Sequence, residues 1–257
     1  MFLWVESQPT LLAALLVFGF CYLLAAVIYG VMSFILKLPG AAGLHTTSPT
    51  MLSAIGVITG LVIAFVASHV WSNLNAAENY VIREASAIRD TVLLADTLPD
   101  DMRTKVHAGI KAYLHFIDTE DWPEMARGQA NLRRPPPGLT DVMHTVLAAN
   151  LTGSGQQISQ QRIVGAIQQA LEARRQRILL SEASIETTQW ATILILAILM
   201  LIGIRIVHND RTAAMANLFI FASAIAACLV LLIVSDRPFS LGGVTLQPSA
   251  LHEITPD

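Results

Sequence analysis

The chain has 257 residues, of which 54% are hydrophobic and only 14% are charged, and its formal net charge is −3. Soluble domains carry about 25% charged residues, so this composition excludes a water-soluble globular protein as the class of the whole chain. The charge is also segregated, because residues 72–189 hold 12 of the 16 Lys and Arg and 14 of the 19 Asp and Glu. The nearly uncharged remainder is typical of an integral membrane protein, and the small net charge provides no basic field for nucleic acid.

Four nearly uncharged segments are long enough to cross a bilayer core as helices, which takes about 20 residues each. In chain order, the predicted spans cover residues 11–36, 51–71, 190–207 and 213–234, and their only Lys, Arg, Asp or Glu is Arg205, near the end of the third. Four spans place both termini and the charged central block on the same side of the membrane. Lys37, Arg205 and Arg211 lie near the two turns on the other side, and the positive-inside rule places those turns in the cytoplasm. We therefore expect an extracytoplasmic block, although the arginines at its own ends favour the opposite orientation.

The second span belongs to the longest uninterrupted helical pattern in the sequence. No Pro or Gly occurs between Gly60 and Pro99, so the pattern predicts one helix over residues 49–95. Its membrane half supplies the candidate pore or helix-packing residues Ser53, Gly56, Gly60, Ile63, Ala64 and Ser68. Four of them form a small-residue stripe, in which Gly or another small residue recurs at every fourth position: Gly56, Gly60, Ala64 and Ser68. This spacing allows close approach by another span of the chain, by a second subunit, or by ions on a narrow path.

The water-side half of this helix and the rest of the central block predict a helical bundle. Apolar residues spaced by three and four form a seam from Leu74 to Ala95, and the charged residues are predicted to lie mostly off it. Further helices are predicted over residues 100–119 and 139–149. A last helix is predicted from about residue 159, continuing without a break into the third span. The proline-containing segment 120–138 is predicted to be irregular.

These elements predict an all-α integral membrane protein with four transmembrane helices and an inserted helical-bundle domain between the second and third spans. The predicted domains are a first transmembrane pair (1–71), the inserted water-soluble domain (72–189), a second transmembrane hairpin (190–235) and a C-terminal tail (236–257).

Two clusters of charged residues flank the predicted membrane core. One contains the candidate vestibule residues Arg83, Glu84, Arg89, Arg174, Arg175 and Arg177. Around a pore Arg174, Arg175 and Arg177 would present a positive ring, and beside the membrane they would contact anionic lipids. The alternative is that they form salt bridges with acidic residues of a neighbouring helix, such as Glu84 or Asp90.

The second cluster marks the ends of the second and fourth spans. Its residues are Trp71, Asp236, Arg237, Pro238 and Phe239. An ion pair, a helix-stopping proline and an interfacial aromatic residue are typical of a fixed structural anchor, and a gate is the alternative.

Signatures of catalysis and of pumping are missing from the sequence. None of the spans carries an ionisable residue near its centre, which proton-driven transporters normally need. The two cysteines, Cys21 and Cys228, lie in apolar segments and are interpreted as small buried side chains. No metal-ligand or phosphate-binding motif occurs. We therefore predict that the chain is not an enzyme, and that it binds no cofactor, no metal and no nucleic acid.

The pattern resembles a family of bacterial membrane proteins named for a bestrophin-like domain. The residues that carry the likeness are Pro49-Thr50-Met51-Leu52, Gly56, Gly60, Trp71, Arg83-Glu84-Ala85, Arg89 and Asp236-Arg237-Pro238-Phe239. The resemblance implies a multi-pass protein of the bacterial inner membrane that assembles as a homo-oligomer. It also implies an anion-permeable ion channel whose pore is lined or flanked by the second helix. Its partners would be the lipid bilayer, further copies of the chain and small inorganic ions.

Two features limit what the resemblance implies. The acidic cluster that binds calcium in bestrophins has no match, because Asp236 stands alone after the last span. A different class of function also stays open, namely a membrane-anchored sensory or interaction protein whose helical domain binds a partner or ligand.

Overall fold

The computed structural model describes residues 10–38, 48–239 and 246–254, and every regular element within these ranges is helical. The elements are α1 (Thr10–Ile35), α2 (Pro49–Ala95), α3 (Asp100–Phe116), a π-helical turn (Ile117–Asp121), α4 (Trp122–Ala126), α5 (Leu139–Ala148), α6 (Ser154–Glu182), α7 (Thr187–Val207), α8 (Arg211–Ser235) and α9 (Ser249–His252). The predicted all-α class is confirmed. Part of the predicted first connector and part of the C-terminal tail lie outside the described residues.

Four segments are long and apolar enough to cross a membrane, as the sequence predicts. They belong to α1, α2, α7 and α8. The chain divides into two compact units, and α2 contributes its first half to one and its second half to the other. Within the described ranges, unit 1 contains residues 10–38, 48–72 and 184–237, and unit 2 contains residues 73–183, 238–239 and 246–254.

Unit 1 is built from apolar residues at helical spacing on α1, α7 and α8. The buried residues of α1 recur every three or four positions, at Ala13, Val17, Cys21, Ala25, Ile28 and Met32. Small side chains let the helices approach, and at Gly203 of α7 an added Cβ would lie only 2.7 Å from Leu52 Cδ1 of α2. One polar contact crosses between α1 and α8, where Tyr22 Oη and Ser223 Oγ are 3.0 Å apart.

Unit 2 has its own core, formed by α2, α3, α5 and α6. The fully buried side chains include Ile88, Ile110 and Ile163. The loop before α5 crosses α3 at a pair of glycines. Gly138 has φ +82° there, and an added Cβ would overlap the carbonyl oxygen of Gly109. Only glycine allows both this backbone conformation and this approach.

The prediction of a continuous helix from residue 159 into the third span is wrong. Helix α6 begins earlier, at Ser154, and ends at Glu182, and four residues separate it from α7. The break is stabilised at the start of α7 by a capping box, in which the side chains of Glu186 and Gln189 pair with each other's backbone N–H groups. The carboxylate of Asp236 accepts the N–H of Ile185 in the same segment, at 2.8 Å.

The prediction that residues 120–138 are irregular is wrong in its first part. After α3 the chain stays helical through the π-helical turn and α4, to Ala126. Pro123 lies in the first turn of α4, where a missing N–H is tolerated. It also cannot donate to the carbonyl of Thr119, and the helix is widened in the turn just before it.

Candidate functional site

Other parts of the chain cover little of the transmembrane half of α2, since only 11% of its most apolar 18-residue segment is buried. Its covered side carries Thr59, Val66 and Val70. Gly60, Ala64 and Ser68 of the small-residue stripe are exposed, as is Ser53, and an added Cβ at Gly60 would meet nothing within 4 Å. Gly56 is closer to the other helices, with an added Cβ 3.5 Å from Met200 Cε, and Ile63 is half-buried. Most of the stripe is therefore not used for packing between the chain's own spans.

The uncovered surface of α2 has two different flanks. At about 100° per residue, Gly60 and Ala64 lie on one side of the outward direction, and Ser68 points along it. The bulky residues Ile58 (51% exposed) and Phe65 (67% exposed) lie on the other side. One flank can accept the close approach of a helix or an ion path, whereas the other resembles a lipid-facing or interface surface.

Unit 2 encloses four charged side chains and one phenol, which we call the buried ion cluster: Glu84, Tyr113, Asp121, Arg174 and Arg177. All five are at most 4% exposed. Arg177 Nε donates to Glu84 Oε2 at 2.8 Å, and its Nη2 donates to Asp121 Oδ2 at 3.1 Å. Arg174 binds the Asp121 carboxylate with two hydrogen bonds, of 2.9 and 2.7 Å. The cluster contains two cations and two anions, so its charge is balanced.

The surroundings of the buried ion cluster keep Tyr113 and Arg177 in their ordinary protonation states. Burial, together with the negative charge of Glu84, raises the pKa of the Tyr113 phenol well above its usual value. The phenol therefore stays protonated and donates to Glu84 Oε1 at 2.6 Å. Burial alone would lower the pKa of Arg177, but Glu84 and the other anionic neighbours outweigh that effect and raise it. The guanidinium stays charged. It also lies over the Trp122 ring, with its central carbon 5.0 Å from the ring centroid.

This arrangement changes the interpretation of the predicted vestibule residues. The prediction placed Glu84 among the charged residues off the α2 seam, whereas Glu84 is fully buried. Arg174 and Arg177 are enclosed in ion pairs within the chain, which agrees with the salt-bridge alternative for Glu84 but uses Asp121 in place of Asp90. Arg83, Arg89 and Arg175 are exposed. The second acidic partner was missed because Asp121 lies in a segment predicted to be irregular.

The residues of the second predicted cluster, at the ends of the second and fourth spans, lie in different environments. Asp236 is buried and holds the backbone of Ile185, as described above. Phe239 is buried in unit 2 and packs edge-on against Trp122, with ring centroids 5.4 Å apart. Pro238 is buried too, Arg237 is half-buried and Trp71 is 50% exposed. Asp236 and Phe239 therefore each make a defined contact within the chain.

We expect Asp236→Ala to lower the free energy of unfolding by about 1–3 kcal/mol, because the buried N–H of Ile185 loses its charged acceptor. Asp236→Asn keeps an oxygen at this position and should lose less. Thermal unfolding of the detergent-solubilised protein measures both changes. Equal losses in the two variants would contradict a role for this hydrogen bond.

Comparison with known proteins gives a consistent assignment. Residues 18–251 match the family model described as Bestrophin-like domain. No curated protein sequence matches the chain. In the described parts of the chain, no group of three or more His, Cys, Asp or Glu is arranged to hold a metal ion.

Solved structures share the fold over nearly the whole chain. A crystal structure of a membrane protein matches with a TM-score of 0.69 and 14% identity, covering 91% of this chain and 94% of that chain. A variant of a bacterial bestrophin homologue from Klebsiella pneumoniae matches with a TM-score of 0.65 and 12% identity, covering 92% and 95%. Another variant of a Klebsiella pneumoniae homologue gives a TM-score of 0.64 at 12% identity, covering 91% and 94%. The family match over residues 18–251 confirms the resemblance noted in the sequence, and the chain belongs to the bestrophin-like family.

Proposed function

We propose that the protein is an ion channel of the bacterial inner membrane, formed by several copies of the chain, with α2 lining or flanking the pore. Anions are the proposed permeant ions, by analogy with bestrophins. The observation that carries the proposal is the uncovered transmembrane face of α2, with Gly60, Ala64 and Ser68 exposed in a chain of this family. Channel activity here requires no catalysis.

The interior of unit 1 supports a pore between copies over a pore within one copy. Its helices are packed through side chains such as Ile193, Leu218 and Ala226, which are almost completely buried. The cavity found among α1, α7 and α8 measures about 10 Å³, which is space for about one water molecule. A hydrated ion needs a wider path. Contact between α2 helices of several subunits would supply it.

The exposed arginines of unit 2 are candidates for the charged vestibule of such a pore. Arg83 and Arg175 are exposed, and the guanidinium of Arg83 lies 5.8 Å from the centroid of the Tyr80 ring. Arg89 is partly neutralised by Glu253 of the C-terminal segment, at 3.6 Å. In an assembly with rotational symmetry each exposed arginine is repeated in every subunit, and the resulting ring of positive charge favours anions.

A pair of neighbouring substitutions tests the pore. We expect Gly60→Trp to reduce ion flux through liposomes containing the purified protein by at least about tenfold, because an indole on the small-residue flank would fill a narrow path. Ile58→Trp places the same indole on the bulky flank, where Ile58 is 51% exposed, and should leave most of the flux. The flux measured separately under a chloride gradient and under a potassium gradient gives the ion preference.

Three outcomes would refute the proposal. The protein could be monomeric by native mass in mild detergent and in nanodiscs, or a well-folded oligomer could pass no ions. Equal effects of the two tryptophan variants would remove the small-residue flank from the pathway.

A further inference from the structure

Arg205 occupies an unusual position in the last turn of α7. It is half-buried, and its neighbours hold its guanidinium in a fixed orientation. Nε donates to Ser33 Oγ of α1 at 3.0 Å, and Nη1 donates to the carbonyl oxygen of His208 at 3.1 Å. The guanidinium carbon lies 5.3 Å from the centroid of the Tyr29 ring. All of these partners are neutral, so they orient the positive charge without balancing it.

The chain provides almost no negative charge at this end of unit 1. Residues 33–53 and 201–217 contain a single acidic residue, Asp210. Its Oδ2 accepts the N–H of Ala213 at 2.7 Å, as the N-cap of α8. Within the described ranges Arg205 makes no ion pair, in contrast to Arg174 and Arg177 of unit 2.

The imidazole of His208 adds neither charge nor an acceptor for Arg205, whose bond to this residue goes to the backbone carbonyl. His208 Nδ1 is 2.9 Å from the carbonyl oxygen of Ile204, which can only accept, so Nδ1 carries a proton. Nε2 lies 2.9 Å from Asn217 Nδ2 and accepts its amide hydrogen. Both nitrogens are thus used by the neutral ring. The imidazole fixes the turn between α7 and α8 and leaves the local charge to Arg205.

The length of α7 from its first residue to Arg205 matches the thickness of a hydrocarbon core. Arg205 is 18 residues beyond Thr187, or about 27 Å along the helix axis, close to the full thickness of a hydrocarbon core. Lys37, beyond the end of α1, and Arg211, the first residue of α8, are both exposed and form no ion pair with other described residues. By topology, the three cations belong to the same end of the transmembrane helices.

We propose that this end of unit 1 is a binding site for the phosphate of an anionic lipid, with Arg205 as its central ligand. The planar guanidinium is positioned by Ser33 and Tyr29, and its Nη2 has no acceptor among the described residues. It can therefore donate to a phosphate oxygen, and the planar fork of a guanidinium matches the geometry of a phosphate. Lys37 and Arg211 favour a headgroup with net negative charge over a zwitterionic one. Free inorganic phosphate offers the same oxygens, so the test includes it.

The test compares lipids on the purified full-length protein in detergent. We expect phosphatidylglycerol to raise the thermal unfolding midpoint more than phosphatidylcholine does, and to remain bound in native mass spectrometry. Arg205→Gln should weaken the apparent affinity for phosphatidylglycerol at least about tenfold, because a charge-assisted hydrogen-bond donor is lost. Arg133→Gln, an exposed arginine of unit 2, is the matched control and should leave the lipid preference unchanged.

Two further variants keep the test decisive if Arg205→Gln disturbs folding. Ser33→Ala removes one positioning contact but keeps the charge, and should keep the preference for phosphatidylglycerol with reduced affinity. Arg205→Lys keeps the charge without the planar fork and should bind with intermediate affinity.

Equal stabilisation by the two lipids, or an unchanged preference in Arg205→Gln, would overturn the proposal. An equal response to millimolar inorganic phosphate would replace the lipid by a free anion and overturn the assignment to lipid. The lipid measurements involve no ion flux, so they stand or fall independently of the proposed channel.

Discussion

Arg177→Met is expected to lower the free energy of unfolding by about 3–5 kcal/mol, since it leaves buried carboxylates without their shared cation. Arg177 is 0% exposed and lies between Glu84 and Asp121. In the variant, neither water nor another basic side chain of the described residues can take its place beside Glu84. The measurement is chemical unfolding of the purified protein in detergent, followed by circular dichroism.

A double-mutant cycle separates the ion pair from simple loss of packing. Glu84→Met with Arg177→Met removes one cation and one anion, and leaves the bidentate pair of Arg174 and Asp121 intact. The double variant should be more stable than the sum of the two single losses implies, by at least about 1 kcal/mol. Arg175→Met, on the exposed side of the same helix, should change stability by less than about 0.5 kcal/mol. Strict additivity in the cycle would contradict the assigned pairing.

Gly138→Ala is expected to destabilise the fold by more than about 2 kcal/mol, through a positive φ and a backbone collision together. The φ at Gly138 is +82°, and an added Cβ would overlap Gly109 O and lie 2.8 Å from Tyr113 N. Both obstacles belong to the backbone of α3, which cannot move aside as a side chain can. Unfolding in denaturant again measures the loss.

Gly128 provides the matched control for this substitution. Its φ is +65°, but an added Cβ would meet nothing within 4 Å. Gly128→Ala should therefore cost only the strain of the left-handed conformation, about 1–2 kcal/mol. If both alanine variants lose the same amount, the crossing at Gly109 is looser than the structure indicates.

The parts of the fold that could be predicted are those with a local signal. The four spans follow from hydropathy, since each needs its own run of apolar residues. The length of α2 follows from the absence of helix-breaking residues, and its observed bounds, Pro49–Ala95, coincide with the prediction. The small-residue stripe was also visible in the sequence, but its spacing alone does not identify what covers it.

The parts that were missed depend on contacts between distant residues. Glu84 is charged like its exposed neighbours Arg83 and Arg89. Its burial is made favourable by Tyr113 and Arg177, which lie 29 and 93 positions later. The end of α6 was missed because residues 183–186 contain neither Pro nor Gly. Their departure from the helix depends partly on a carboxylate at Asp236. Periodicity within one window contains no information about such partners.

The π-helical turn at Ile117–Asp121 changes which side of the helix the following residues face. It accommodates one more residue than an α-helical path of the same length, so the residues after it are offset by about 100° around the axis. Asp121, the last residue of the turn, pairs with Arg174 and Arg177, and the next residue, Trp122, packs against Phe239. Along this stretch the number of residues matters as much as their identity. A chain shorter by one here would keep its composition and hydropathy and still lose the alignment of its buried charges.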